Sequence, residues 1–458
     1  MQKIVDWLLW SNEPIIFIFG LAGLILFVVG CRWAWRHRTP KTKLKRAKKG
    51  DAHGILFGAK RGKIVYSGTD EEGHVAVFGG SGLGKTTAVE IPTLRSWTGT
   101  SFTIDISGDI CKNVDCPYKL VYEPEKPDTT PYNVFGHIDW IREPYAQNEA
   151  LERLALLLMP DNERMADAAK FFNTEGRKIL TAALIAFYHA GMDFIPICEK
   201  IMRTPWKALF GEIDDTGNTE AIQYINSFEG ANEANTAGCK QAADAAIKLF
   251  ATNETIKRSM RRPRITQDGQ EELAFSQVSV ESYNVFCIVP DAKLKLYSPL
   301  LHLITAQLTE YLAARPETNT KTILLCLDEF VSLGHLEITE SLRKLRKKHT
   351  RIMMLTQSMA DIDLEYGREE RMAMMNNFRF KIVLGADDTD TQEYFAKLIG
   401  HRKTKQYSVS TNANQTTTTE SESREWVIEP ENLAHLGEEL VLLHPEGHMR
   451  LKKSYFYK

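Results

Sequence analysis

Gly79, Gly84, Lys85 and Thr86 stand at the spacing G-x-x-x-x-G-K-[ST], inside the run Gly79-Gly80-Ser81-Gly82-Leu83-Gly84-Lys85-Thr86-Thr87. Residues of these types at this spacing handle phosphate. Glycines let backbone N–H groups turn inward around phosphate oxygens. A helix that starts where the loop ends adds its positive pole. Lys85 is expected to reach the β- and γ-phosphates, and the Thr86 hydroxyl to ligate Mg²⁺. A second group complements the first: Asp328-Glu329 ends the apolar run 322–327. An acid at the tip of a core strand beside such a loop supplies the other side of the metal site. Asp328 is expected to hold Mg²⁺ through water, and Glu329 to orient and deprotonate the attacking water. Gln357-Ser358 ends a further apolar run, 352–356. A glutamine there is placed to sense the γ-phosphate or its water. Together these residues predict a site for ATP and Mg²⁺.

The elements that must position these residues follow from pattern. Val75 to Phe78 reads as a buried strand entering the loop, and Thr87 to Trp97 as the helix leaving it. A β-hairpin over 54–73 precedes them. Further strands are predicted at 101–106, 119–122, 285–289, 322–327, 352–356 and 380–384, with helices at 297–314, 338–348 and 387–399. Residues 141–277 change character, because apolar residues recur at helical spacing there (Leu151, Leu154, Leu158; Ile179, Leu180, Leu184, Phe187) and strand signals are scarce. Ser227 to Gly238, rich in Asn, Gly and Glu, and the Ser/Thr/Asn-rich run 403–423 read as loops, the second a mobile one without core residues. A hairpin is predicted for 439–457. The order of parts describes an α/β fold: a RecA-like P-loop core at 51–140 and 278–458, with an all-α insertion domain at 141–277.

The chain has 458 residues, 43% hydrophobic and 25% charged, which suits a large globular domain with an insertion. A net charge of −2 carries no statement about nucleic acid, so local clusters must. Two are present: five cations in Lys257–Arg264, and Arg343, Lys344, Arg346, Lys347, Lys348 and Arg351. Either could meet phosphates, and either could be an ordinary solvated face. Seven scattered cysteines with no C-x-x-C pair exclude a zinc ribbon and suit a reducing compartment. Pro14 to Cys31 is apolar and uncharged, followed by Trp33 and Trp35, and Arg32 to Lys49 holds nine Lys/Arg without an acid. This predicts a 1–50 anchor: a transmembrane helix at about 14–35, a basic juxtamembrane segment, and the C-terminal bulk in the cytoplasm. Residues 4–10 are too few to span and could lie in the interface. Basic residues after the apolar run, instead of before it, argue against a cleaved signal peptide.

From about residue 50 onward the chain resembles the type IV secretion coupling proteins, the inner-membrane ATPases of bacterial conjugation. The matching pieces are His74-Val75 before the loop, Ile91-Pro92-Thr93-Leu94 with Trp97, and Asp105-Ile106-Ser107-Gly108-Asp109. Pro131-Tyr132-Asn133, Leu327-Asp328-Glu329-Phe330, Gln357-Ser358, Tyr366-Gly367 and Asp387-Asp388-Thr389 complete the string. The resemblance implies a homo-hexameric ring at the bacterial inner membrane. That ring would recruit relaxase-bound, single-stranded DNA with relaxosome proteins and pass it to the type IV secretion channel. It also implies a trans-acting arginine, matched by Arg346, with Arg351 the nearby alternative. Two departures stand out: Ile106-Ser107 where the family has Pro-Lys, and one membrane helix where it has two. Other readings that share these parts are a different membrane-anchored hexameric DNA translocase, a protein-effector secretion ATPase, and a nucleotide-gated receptor without motor activity.

Overall fold

Short runs of Val, Ile, Leu and Phe with no charge pair only where both faces are covered, and here they form the middle of a sheet. The computed structural model describes residues 44–161, 165–266, 268–336, 338–412 and 415–457, with backbone alone for 406–421. The predicted membrane helix at about 14–35, the segment 4–10, most of the basic run and Cys31 lie outside the described residues. Among the described residues, no helix is long and apolar enough to cross a membrane.

The strands are β1 (Lys45–Ala47), β2 (Gly54–Lys60), β3 (Lys63–Gly68), β4 (His74–Phe78), β5 (Thr100–Asp105), β6 (Lys119–Tyr122) and β7 (Asn284–Ile288). After them come β8 (Ile323–Leu327), β9 (Thr350–Thr356), β10 (Phe378–Val383), β11 (His401–Asn412), β12 (Gln415–Trp426), β13 (Glu439–His444) and β14 (Gly447–Lys452). One sheet runs in the order β1-β3-β2-β14-β13-β10-β4-β9-β8-β5-β7-β6. From β10 to β6 every pairing is parallel. The hairpins β2–β3 and β13–β14 extend that core antiparallel, through β10–β13 and β14–β2. All residues of β4, β8 and β9 are buried, as the apolar runs required. The sheet therefore aims the ends of β4, β8 and β9 to one side. Strand β9, which ends one residue before Gln357, lies between the loop strand β4 and the acid strand β8.

Between β6 and β7 the chain is helical: Pro144–Leu158, Asp167–His189, Phe194–Arg203, Trp206–Asp214, Thr219–Asn226, Glu233–Thr252 and Glu254–Ser259. Their apolar faces join the same buried cluster as the sheet. Two stretches predicted as loops contain regular elements. In the Asn-rich 227–238 stretch, 227–232 is turn and loop as expected but 233–238 is helix, because Asn232 caps Glu233–Thr252 by accepting from Ala234 N and Asn235 N at 2.9 and 3.3 Å. Residues 403–423 fall in the two-stranded sheet β11–β12. A Thr-rich run has high β propensity even without a core to join, and His401 stacks on Trp426 at the base of that sheet, 3.8 Å between rings.

Candidate active site

The loop after β4 takes its shape from its glycines. Gly82 and Gly84 have φ of +77° and +99°, a region side chains resist. A Cβ on Gly80 would lie 2.7 Å from Asp387 Oδ2, so bare backbone is required where the residue-387 turn abuts the loop. The chain then enters a π-helical turn, Lys85–Glu90, continued by the α-helix Ile91–Ser96, so the helical stretch begins at Lys85, slightly before the predicted Thr87. The Thr93 hydroxyl accepts from Leu56 N at 3.1 Å and ties this helix to β2.

Lys85 is buried and folds back over its own loop. Its Nζ donates to Gly79 O at 2.8 Å and stands 3.7 Å from Glu329 Oε1. Gln357, one residue past β9, donates Nε2 to Glu329 Oε2 at 3.3 Å. Asp328, one residue past β8, accepts Glu329 N at 3.1 Å. Lys85, Asp328, Glu329 and Gln357 thus converge from three neighbouring strands. Glu329 is in the left-handed region, φ 44° and ψ 49°, and only the surrounding contacts hold a non-glycine residue there. The following Phe330 stacks flat on Tyr366, 5.3 Å between rings, while Tyr366 OH donates to Gly334 O. This braces the acidic turn from behind.

The electrostatics suit a cation. Burial, together with the Glu329 charge, pushes the Asp328 carboxyl up to about 7, against the pull of Lys85. A positive ion would restore the ionised form. The donor set, a carboxylate at Asp328 and a hydroxyl at Thr86, is hard and oxygen-only and leaves positions for phosphate oxygens and water, which fits Mg²⁺.

Three further residues bear on the site, and of these Glu90 alone belongs to no motif. Glu90, in the turn after the loop, is fully buried, and neither carboxyl oxygen has a hydrogen-bond partner among the described residues. Burial, then the charges of Asp328 and Asp105, hold its pKa well above the carboxylate range, with Lys85 opposing. Its only signal in the sequence is an acid within the otherwise apolar run Ala88-Val89-Glu90-Ile91. Asp105 caps the turn after β5, accepting Gly108 N at 2.8 Å and Cys111 N at 2.7 Å, so the Asp-x-Ser-Gly-Asp motif is locally structural here. His74 at the start of β4 accepts Ile352 N on Nδ1 at 2.9 Å and donates from Nε2 to Leu342 O at 2.7 Å. Burial pushes its ring down to about 4.

Arg346 is not near this cluster. It lies exposed in the turn Arg346–Lys348 just before β9, whereas Gln357 lies just after it, so the two occupy opposite ends of the sheet. Arg351 is buried and committed, with Nε to Gly73 O at 2.8 Å and Nη1 to Ser67 Oγ and Gly68 O at 3.0 Å. It is a structural residue. Three of the five cations in 257–264 are also engaged by acids within the chain. Lys257 pairs with Glu199 and Glu254, Arg261 is bidentate on Glu272, and Arg262 is bidentate on Asp139.

Comparison with known proteins places these observations. The family model described as "Type IV secretory system Conjugative DNA transfer" matches residues 32–458. The protein VirD4 of Rhizobium radiobacter is 22% identical over 433 residues, 88% of this chain and 60% of its own length. This chain therefore spans about 60% of that curated relative. The unbound bacterial conjugative coupling protein TrwBdeltaN70 superposes with a TM-score of 0.67 at 19% identity, over 83% of this chain and 85% of that one. The plasmid coupling protein TrwB in complex with ADP and Mg²⁺ superposes with 0.63 at 18% identity over the same shares. These likenesses show the fold.

Proposed function

Because the chain belongs to the type IV secretory system conjugative DNA transfer family, we propose that it is a coupling ATPase of conjugation. In this reading a helix at about 14–35 anchors it in the inner membrane, six copies form a ring, and the 141–277 helices form an insertion domain. The ring recruits relaxase-bound DNA and couples ATP hydrolysis to its delivery into a type IV secretion channel. The observation that carries the ATPase part is the convergence of Lys85, Asp328, Glu329 and Gln357 at the ends of three adjacent strands.

The residues divide the work by chemistry. Backbone N–H groups of 79–87 receive the phosphates, and Lys85 exchanges Gly79 O for β- and γ-phosphate oxygens. Thr86 and Asp328 hold Mg²⁺, which neutralises charge on the phosphates when bound. Glu329 orients the attacking water and accepts its proton, and Gln357, already on the Glu329 carboxylate, senses the γ-phosphate. Arg346 acts on the site of a neighbouring copy, a reading supported by its exposure far from its own loop.

The test is ATP turnover by the full chain in vesicles, with and without single-stranded DNA, beside Lys85→Ala and Glu329→Gln. DNA-stimulated turnover is expected in the wild type and a loss of at least ~100-fold in each variant. Mating assays with the same variants should show no transfer. Normal transfer by Lys85→Ala would sink the motor reading. Transfer that tolerates Glu329→Gln would make the chain a nucleotide-gated receptor.

A further inference from the structure

The segment after β14 returns to the phosphate loop. Phe456 N donates to Thr87 O at 3.1 Å, on the residue directly after the Lys85-Thr86 pair. A Cβ on Gly84 would lie 3.4 Å from Tyr455 Cε1, so the Tyr455 ring rests against the last glycine of the loop. The Tyr457 ring stacks on that of Tyr455, 5.4 Å between centroids and 25° between planes. Three contacts from outside the loop hold this segment in place. Arg95 Nη1 donates to Phe456 O at 3.3 Å, the Arg95 guanidinium lies over the Phe456 ring at 4.8 Å, and Lys49 Nζ donates to Tyr455 O at 3.3 Å.

The position of these rings has a chemical meaning. The γ-phosphate end of the site is marked by Lys85, Glu329 and Gln357. A nucleotide bound as proposed would run away from that end, past Thr86, which would bring its sugar and base out beside Gly84 and Thr87. Tyr455 and Tyr457 stand at that exit, Tyr455 half-buried and Tyr457 exposed. Every nucleobase has a π face, and an aromatic ring takes it by stacking whatever its edge carries.

We propose that Tyr455, backed by Tyr457, is the nucleobase platform of this site. It rests on the reading of 79–87 as a nucleotide loop. The platform selects for the presence of a base more than for its identity. The Phe456–Thr87 hydrogen bond makes it move with the helix that follows the loop.

The test separates base from phosphate. Calorimetry on the full chain in detergent micelles measures affinity for ATP and for inorganic tripolyphosphate, each with Mg²⁺, in the wild type, Tyr455→Ala, Tyr455→Leu and Tyr455→Phe. The platform predicts that Tyr455→Ala and Tyr455→Leu weaken ATP roughly 5- to 100-fold and leave tripolyphosphate unchanged, while Tyr455→Phe keeps wild-type affinity for both. The bulky leucine and the retained tripolyphosphate binding report that the loop is still folded. Equal loss of both ligands, unaltered ATP affinity, or tighter ATP binding (a segment that obstructs the site) would each overturn the platform while leaving the nucleotide loop standing. A wild-type chain that binds neither ligand would overturn the loop reading and the platform with it.

Discussion

Glu90 is fully buried, and neither of its carboxyl oxygens has a hydrogen-bond partner among the described residues. A carboxyl buried with no partner is tolerated only when neutral, because the charged form loses its hydration without compensation. Its pKa lies well above its ordinary 4.5 in the folded chain. The folded state therefore keeps a proton that the unfolded state releases above pH 4.5, and stability falls as pH rises beyond that point, by up to about 1.4 kcal/mol per pH unit. Glu90→Gln removes this slope. Chemical denaturation should show the variant more stable than the wild type at pH 8, with the gap closing toward pH 4.5; a gap independent of pH would contradict the buried neutral acid. The neighbouring Glu329 carries a different strain, a left-handed backbone held between Asp328 and Phe330. That conformation turns its carboxylate toward Lys85 and Gln357.

At the scale of elements, the site depends on the registry of β4, β9 and β8, and His74 sets part of it. One neutral ring links the start of the loop strand β4 to β9 and to the helix Ile338–Leu345. His74→Ala leaves the buried Ile352 N–H and Leu342 C=O unpaired, at an expected cost of about 2–4 kcal/mol in denaturant unfolding. The wild-type ring titrates near 4 when folded and near 6.5 when unfolded. Its contribution is therefore complete above pH 6.5 and is lost as pH falls toward 4. The basic stretch 257–264 is likewise an element of architecture. Arg262 holds Asp139 with two bonds and covers the Phe135 and Tyr188 rings at 5.1 and 5.3 Å. We expect Arg262→Ala to cost about 1–3 kcal/mol and to leave the salt dependence of DNA binding unchanged. A flatter salt slope would return this cluster to the DNA path.

For the whole molecule, the separation of Arg346 from its own loop sets the prediction. If neighbouring copies complete each other's sites, Arg346→Ala alone should lower turnover about 10³-fold or more. Mixing it with Lys85→Ala should restore part of the activity, since some interfaces then pair an intact loop with an intact arginine. Mixed assemblies as inactive as either parent would remove the trans role. The chain from Arg46 to Lys458 is one compact unit, and the buried core runs without a break from the sheet into the helices of 144–259. Motion between those helices and the sheet would have to repack a shared interior.

The sequence by itself determined the loop 79–87, the acid pair after β8, the glutamine after β9 and nearly every strand. Each is written in a few adjacent residues: a glycine spacing, or an apolar run ending in one polar group. It also carried the family, because a string of such local pieces in a set order is specific. Only the tertiary structure decided which groups meet across hundreds of residues. It put β9 between β4 and β8, buried Glu90 under the site and turned Arg351 into a strut. It paired Lys257, Arg261 and Arg262 with Asp139, Glu199, Glu254 and Glu272, and laid Tyr455 on Gly84. Spacing reports periodicity and local backbone shape. Which distant charge or ring lies alongside is set by how the layers pack, and no short-range pattern encodes that.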